Sequence, residues 1–164
     1  MDNEKGLPKR KHPRLVNYDY SSAGAYLLRY ALKTDGACYL ASEAKVIEYT
    51  SFGEIAEKQL FLLEDRYPHL SIDQYVIMPN HIHVIMILKY EAAGASPRPT
   101  ITDIVCSYKS LTTRECKEDG FEGKLFQTSF YEHIIRGRED YEEIAKYVYE
   151  NPIRWYCDEL YAEE

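Results

Sequence analysis

The stretch Tyr75–Leu88, YVIMPNHIHVIMIL, constrains the fold of this chain more tightly than any other. It is a run of β-forming apolar residues, broken by Pro79 and Asn80 and carrying two histidines one residue apart. The break comes well short of the ~20 apolar residues that a membrane-spanning helix needs. The run therefore divides into two strands, Ile72–Ile77 and His81–Leu88, joined by the turn Met78, Pro79, Asn80. Residues two apart in a strand share a face, so His81 and His83 project together, while Ile82, Val84 and Met86 fall toward the other side. Two imidazoles side by side make a chelating pair for a divalent cation; two satisfied surface or core histidines would give the same short motif.

The flanking segments supply a sheet for this hairpin and helices to cover it. Strands are expected at Ala25–Leu32, from Ala37 to Leu40, at Val46–Thr50 and within Phe126–Ile135. The spacing of Phe52, Ile55, Ala56, Leu60, Leu63 and Tyr67 predicts a first helix over 52–67, stopped by Pro68. Thr100 and Asp103 have the spacing of a capping box, with Asp in place of the usual Glu. They open a second helix whose apolar stripe is Ile101, Ile104, Val105, Tyr108 and Leu111. A third helix runs over Arg138–Glu150, acidic in its first turn as the helix dipole favours, and Pro152 closes it. The order β-β-β-α-β-β-α-β-α predicts an α+β domain, one antiparallel sheet covered by helices. Residues 91–99, EAAGASPRP, are the best loop in the chain and too central for a domain linker. The 164 residues fit one domain and suffice to bury a core without staples.

Charge and cysteine usage narrow the function classes. A net charge of −7 argues against a non-specific polyanion binder, but the charge is unevenly spread. Lys9, Arg10, Lys11, His12, Pro13 and Arg14 form a basic segment, whereas Glu139–Glu150 and Asp158–Glu164 are acidic. An acidic exterior can thus coexist with a basic groove. Cys38, Cys106, Cys116 and Cys157 form no C-x-x-C pair and no zinc-finger spacing, the pattern of reduced thiols in a cytosolic protein. The polar, charged first residues do not resemble a secretory signal, and a cytoplasmic location without membrane association is expected.

Two imidazoles do not fill a coordination sphere, and KYVYENP near the end of the third helix offers partners. Tyr147 and Asn151 are four apart and lie on one helical face, about 40° apart around the axis. The Asn151 amide oxygen suits Mg²⁺ or Mn²⁺, and the Tyr147 hydroxyl would then stand beside the cation. Tyr149 points roughly to the other side and Tyr141 is off this face. In a chain with 16 tyrosines, a packed aromatic with its hydroxyl at the surface is the ordinary alternative for Tyr147.

Four stretches carry a resemblance to a known family: PRLVNYDYSSAGAY (13–26), YVIMPNHIHVIMIL (75–88), IVCSYKSLTTRE (104–115) and FYEHIIRGREDYEEIAKYVYENPIRW (130–155). PNHIHVIMIL resembles the His-hydrophobic-His signature of the HUH single-strand endonucleases. The chain as a whole resembles the single-tyrosine transposases of the IS200/IS605 type, and most of all their domesticated branch, the REP-associated tyrosine transposases. The four stretches keep the family's order and span nearly the whole chain. The resemblance implies a ferredoxin-like sheet with the histidines on a central strand and the tyrosine on a helix packed across it. It implies a basic arm at 1–23, an HUH domain at 24–156 and an acidic tail at 157–164. It implies His81, His83 and Asn151 as ligands of Mg²⁺ or Mn²⁺, and Tyr147 as nucleophile. Relatives often have Gln where Asn151 stands, and Phe126 and Thr128 replace the family's usual tryptophan and arginine. The partner implied is single-stranded DNA beside a hairpin, of the REP or palindromic-repeat kind, bound by a dimer or a monomer. Arg10, Lys11 and Arg14 in the arm, with Lys109 and Arg136, are the expected phosphate contacts.

The implied reaction is a transesterification in which Tyr147 forms a 5′-phosphotyrosine and frees a 3′-hydroxyl. Three rival readings keep parts of this picture. A non-cleaving module would keep the fold and DNA-hairpin binding and lose cleavage. A metal-dependent hydrolase would use water and tolerate loss of Tyr147. A replication initiator or relaxase would carry a further His or a paired Tyr and a longer chain.

Overall fold

The hairpin predicted from YVIMPNHIHVIMIL lies within a four-stranded antiparallel sheet. The protein is described here from a computed structural model, which covers residues 15–33, 39–41, 47–89 and 99–152. The sheet comprises β1 (Gly24–Ala31), β4 (Leu70–Ile77), β5 (His81–Leu88) and β6 (Tyr131–Ile135), in the order β4-β5-β1-β6. The short strands β2 (Tyr39–Ala41) and β3 (Ile47–Tyr49) pair separately. The helices are α1 (Ser51–Arg66), α2 (Ile101–Glu118) and α3 (Gly137–Glu150). With β2 and β3 set aside, β1-α1-β4-β5-α2-β6 is the ferredoxin-like βαββαβ arrangement, as expected.

Strand alternation sorts the side chains onto two faces. Tyr26, Leu28 and Tyr30 of β1, with Ile82, Val84 and Met86 of β5, are fully buried in one core with Ala56, Leu60 and Leu63 of α1 and Ile101, Ile104, Val105 and Tyr108 of α2. The other face carries a smaller cluster, Leu27, Val76, Met78 and Ile85, covered by Val148 of α3. A bulge between Ile72 and Gln74 shifts the register of β4, so that Ile72 and Tyr75 pack on the larger core and Val76 on the smaller one. The bulge also frees the Asp73 carboxylate to accept a 2.6 Å hydrogen bond from the Tyr141 hydroxyl of α3.

The helix ends follow the sequence closely. Thr50 caps α1 by accepting from the Gly53 amide, and Thr100 with Asp103 forms the expected reciprocal capping box on α2. Thr112 and Cys116 complete the buried stripe of α2, whereas Leu111 is half-buried. The segment predicted as one strand from Phe126 is shorter. Phe126 makes only an isolated bridge to Leu32, and β6 begins at Tyr131. The reason lies in Leu125 and Gln127, whose backbones bond to Lys33 and Ala31 at the end of β1 and draw the chain off the ladder.

Residues 15–23 lie against the domain: Tyr18 and Tyr20 pack on the larger core, and the Tyr20 carbonyl accepts from the Ile101 amide at 3.0 Å. The earlier arm residues, with Arg10, Lys11 and Arg14, and the tail at 157–164 lie outside the described residues. No helix among the described residues is long and apolar enough to cross a membrane.

Candidate active site

β5 alternates without irregularity, so His81 and His83 both face α3. Both are buried, at 0% and 2% exposure, and their rings meet edge to face with centroids 4.5 Å apart. The turn that starts β5 is closed by the Met78 amide donating to the His81 carbonyl at 2.8 Å. Pro79 occupies the turn, where its lack of an N–H costs nothing. Asn80 adds a second role, since its Oδ1 lies 2.6 Å from His81 Nδ1. The amide oxygen accepts, so Nδ1 carries a proton and Nε2 is the nitrogen that a neutral ring would present to a cation. This is the usual second-sphere device for presenting an imidazole to a metal.

His83 is held neutral. Burial, then the neighbouring His81, then the Arg29 cation push its imidazole down to about 3. Arg29 is its direct cross-strand partner from β1. Both ring nitrogens of His83 are buried without a hydrogen-bond partner, and so is Oδ1 of Asn151. Buried polar atoms are rarely left so, and two imidazole nitrogens with an amide oxygen are donors a divalent cation accepts. The donor set therefore suits a divalent cation. Among the described residues no cluster of three or more His, Cys, Asp or Glu could hold a metal, so a cation here needs a ligand such as Asn.

The three tyrosines of α3 separate as their spacing requires. Tyr141 is tied to Asp73, and Tyr149 is 77% exposed. Tyr147 stands over His83, ring edge to ring face, with centroids 5.3 Å apart and the residue still 43% exposed. Asn151 precedes a proline, a position that disfavours the α conformation. It nevertheless has φ −54° and ψ −44°, which carries the helical geometry past Glu150 and keeps Asn151 on the face of Tyr147. It is 2% exposed.

The expected phosphate contacts are placed differently from one another. Lys109 lies on the opposite side of the sheet, its ammonium donating to the Gln127 and Thr128 carbonyls and lying 5.8 Å from the Phe126 ring centroid. It braces the strand entry. Arg136 is exposed at the start of α3 and lines a groove of about 280 Å³ with Leu15, Tyr20, Glu132, His133 and Asp140. Asp140 accepts there from the Arg136 amide and pairs with His133, and these bonds hold its carboxyl below the usual range. A larger cleft between α1 and α2 presents Glu54, Glu115, Glu118 and Asp119, an unsuitable surface for a polyanion. Sequence reasoning overlooked the part played by Asn80 and the position of Arg29. A lone charge inside the apolar run LLRYAL was the available signal for Arg29.

No family model matches the chain. It is 27% identical, over 96% of its length and 96% of the relative's, to an uncharacterised protein of Haemophilus influenzae. It is 25% identical, over 85% of its length and 77% of the relative's, to a second Haemophilus influenzae protein with the provisional name REP-associated tyrosine transposase. Among solved structures it is similar to a REP-associated tyrosine transposase bound to a REP hairpin, with a TM-score of 0.62, 20% identity, and coverage of 87% of this chain and 74% of that one. The likeness to REP-associated tyrosine transposases read from the sequence is met again in both comparisons, and the solved neighbour has the same fold.

Proposed function

We propose that this chain acts as a transposase-family enzyme on single-stranded DNA, with Tyr147 as its nucleophile. The observation that carries the reading is the placement of Tyr147, alone among the α3 tyrosines, over the buried His81–His83 pair and open to solvent. The Haemophilus relative and the hairpin-bound neighbour support the class of reaction and the class of DNA.

The Tyr147 phenol oxygen attacks phosphorus in line. A tyrosine–phosphorus bond forms, the bond to the 3′-oxygen breaks, and the downstream fragment stays on the protein through its 5′-phosphate. The phenol gives up a proton and the released 3′-oxygen gains one. The adduct conserves the phosphodiester energy for transfer to a second strand. A phenol titrates near 10, so at neutral pH the attack needs help. A divalent cation held by His81, His83 and Asn151 would supply it by neutralising charge on the phosphate. The protein's own share is to keep the His83 imidazole neutral by burial, to orient His81 through Asn80, and to hold the phenol over them.

The test is a covalent-adduct assay with hairpin DNA labelled at its 3′ end, with Mn²⁺ or Mg²⁺, run on a denaturing gel. Labelled protein is expected from the wild type. The Tyr147→Phe variant is expected to lose at least about 10⁴-fold in rate. Persisting activity in Tyr147→Phe would favour a metal-dependent hydrolase, and tight hairpin binding without an adduct would favour a non-cleaving module.

A further inference from the structure

The register of the sheet sets a row of side chains across the face that carries the histidines. Tyr131 of β6 pairs with Arg29 of β1, and Arg29 pairs with His83 of β5. Cross-strand partners share a face, so the row runs from the place where Tyr147 stands to the far edge of the sheet. Two strand spacings put Tyr131 roughly 10 Å from His83. The helix α3 packs over β4 and β5, and Tyr131 at the other edge is 49% exposed. The Arg29 guanidinium lies over the Tyr131 ring, 5.2 Å from its centroid.

We propose that Arg29 and Tyr131 form a nucleotide subsite beside the reacting phosphate, with Arg29 holding the adjoining phosphate and Tyr131 stacking on its base. The subsite rests on the reading that Tyr147 attacks single-stranded DNA. Its own warrant is the pairing of chemistries at that spacing. A guanidinium stays charged when half-buried and offers two parallel N–H donors to a phosphate. An exposed ring offers any base a stacking surface without sequence preference. The ring fixes the guanidinium plane, so Arg29 meets the phosphate preorganised. The subsite also gives the strand a direction across the sheet, from Tyr131 toward Tyr147.

The test measures binding of a short fluorescent oligothymidylate by anisotropy, as a function of salt, with Mn²⁺ present. Arg29→Gln is expected to weaken binding at least about fivefold at low salt and to lower the log–log salt slope by about 0.7, one phosphate contact on a single strand. Tyr131→Ala is expected to weaken binding by about fivefold or more with the slope unchanged, and Tyr131→Phe to restore it. Thermal melts check that each variant is folded, and the exposed Tyr131 pair decides the matter where Arg29→Gln is not. A wild-type slope in folded Arg29→Gln, equal weakness in Tyr131→Ala and Tyr131→Phe, or no oligothymidylate binding by the wild type would overturn the proposal. A protein that binds through Arg29 and Tyr131 but forms no adduct would overturn the Tyr147 reading and leave the subsite standing. A protein that forms the adduct with no response to either substitution would do the reverse.

Discussion

The two faces of the sheet are built from the same strands and differ in nearly everything else. On the face covered by α1 and α2, every inward side chain of β5 from Ile82 to Leu88 is apolar and buried. Tyr30, Tyr108 and Phe126 stack there at centroid distances of 5.4 to 6.3 Å. Both covering helices have side-chain N-caps. The opposite face holds a short apolar patch under α3, then His81, His83, Arg29, His133 and Tyr131. The helix that covers it has no side-chain cap at its start and buries one residue fully, Val148. One face carries the stability and leaves the other free to place polar groups that cost stability. This division explains how a strand as apolar as HIHVIMIL can hold two histidines: they occupy the face that the main core does not need.

Swapping attention by one residue along β5 gives the sharpest test of this contrast. Met86→Ala removes a fully buried side chain from the larger core and is expected to cost about 2–5 kcal/mol in urea unfolding. Ile87→Ala, the next residue but half-buried on the α3 face, is expected to cost less than about half as much. Equal costs would mean that the faces are not separated as described.

The histidine face should show its cost in a pH titration of metal-free protein. The folded-state value of His83 lies below its ordinary 6.5, at about 3, so the unfolded chain takes up the proton first as pH falls. Stability is therefore full above about 6.5 and declines as pH drops toward about 3, with roughly 2 kcal/mol lost by pH 5 from this residue. His83→Gln is expected to flatten that slope, measured by urea midpoints at pH 7 and 5. An unchanged slope would show that His83 is not held neutral by the fold.

The smallest effect belongs to the helix caps. Thr100→Ala removes the Oγ1 that accepts from the Asp103 amide, the side-chain half of the capping box at the N-cap of α2, and is expected to cost about 1 kcal/mol by thermal melting. It should leave the rate of adduct formation unchanged, because α2 serves the structural face. A loss of rate larger than the loss of stability would show that the two faces are coupled.

Much of this was legible in the chain. The His-x-His spacing placed both imidazoles on one face because strand periodicity is two, and the four-residue step from Tyr147 to Asn151 placed them together because helical periodicity is close to that. The capping box was readable because it is local. The bulge at Asp73 was not, since a register shift is decided by the partner strand and by where Tyr141 can reach. Lys109 shows the same limit: its charge was visible, but its use on the Gln127 and Thr128 carbonyls depends on a segment far along the chain.

By itself, the sequence determined the strands, the helices, the face on which each candidate residue lies and the likeness to a family, because these follow from short-range periodicity and motif. Only the tertiary structure decided that α3 lays its Tyr147 face against His83, that Asn151 continues the helix into Pro152, and that Tyr131, Arg29 and His83 stand in one row. Those are matters of register and packing between strands far apart in the chain, and no local pattern encodes them.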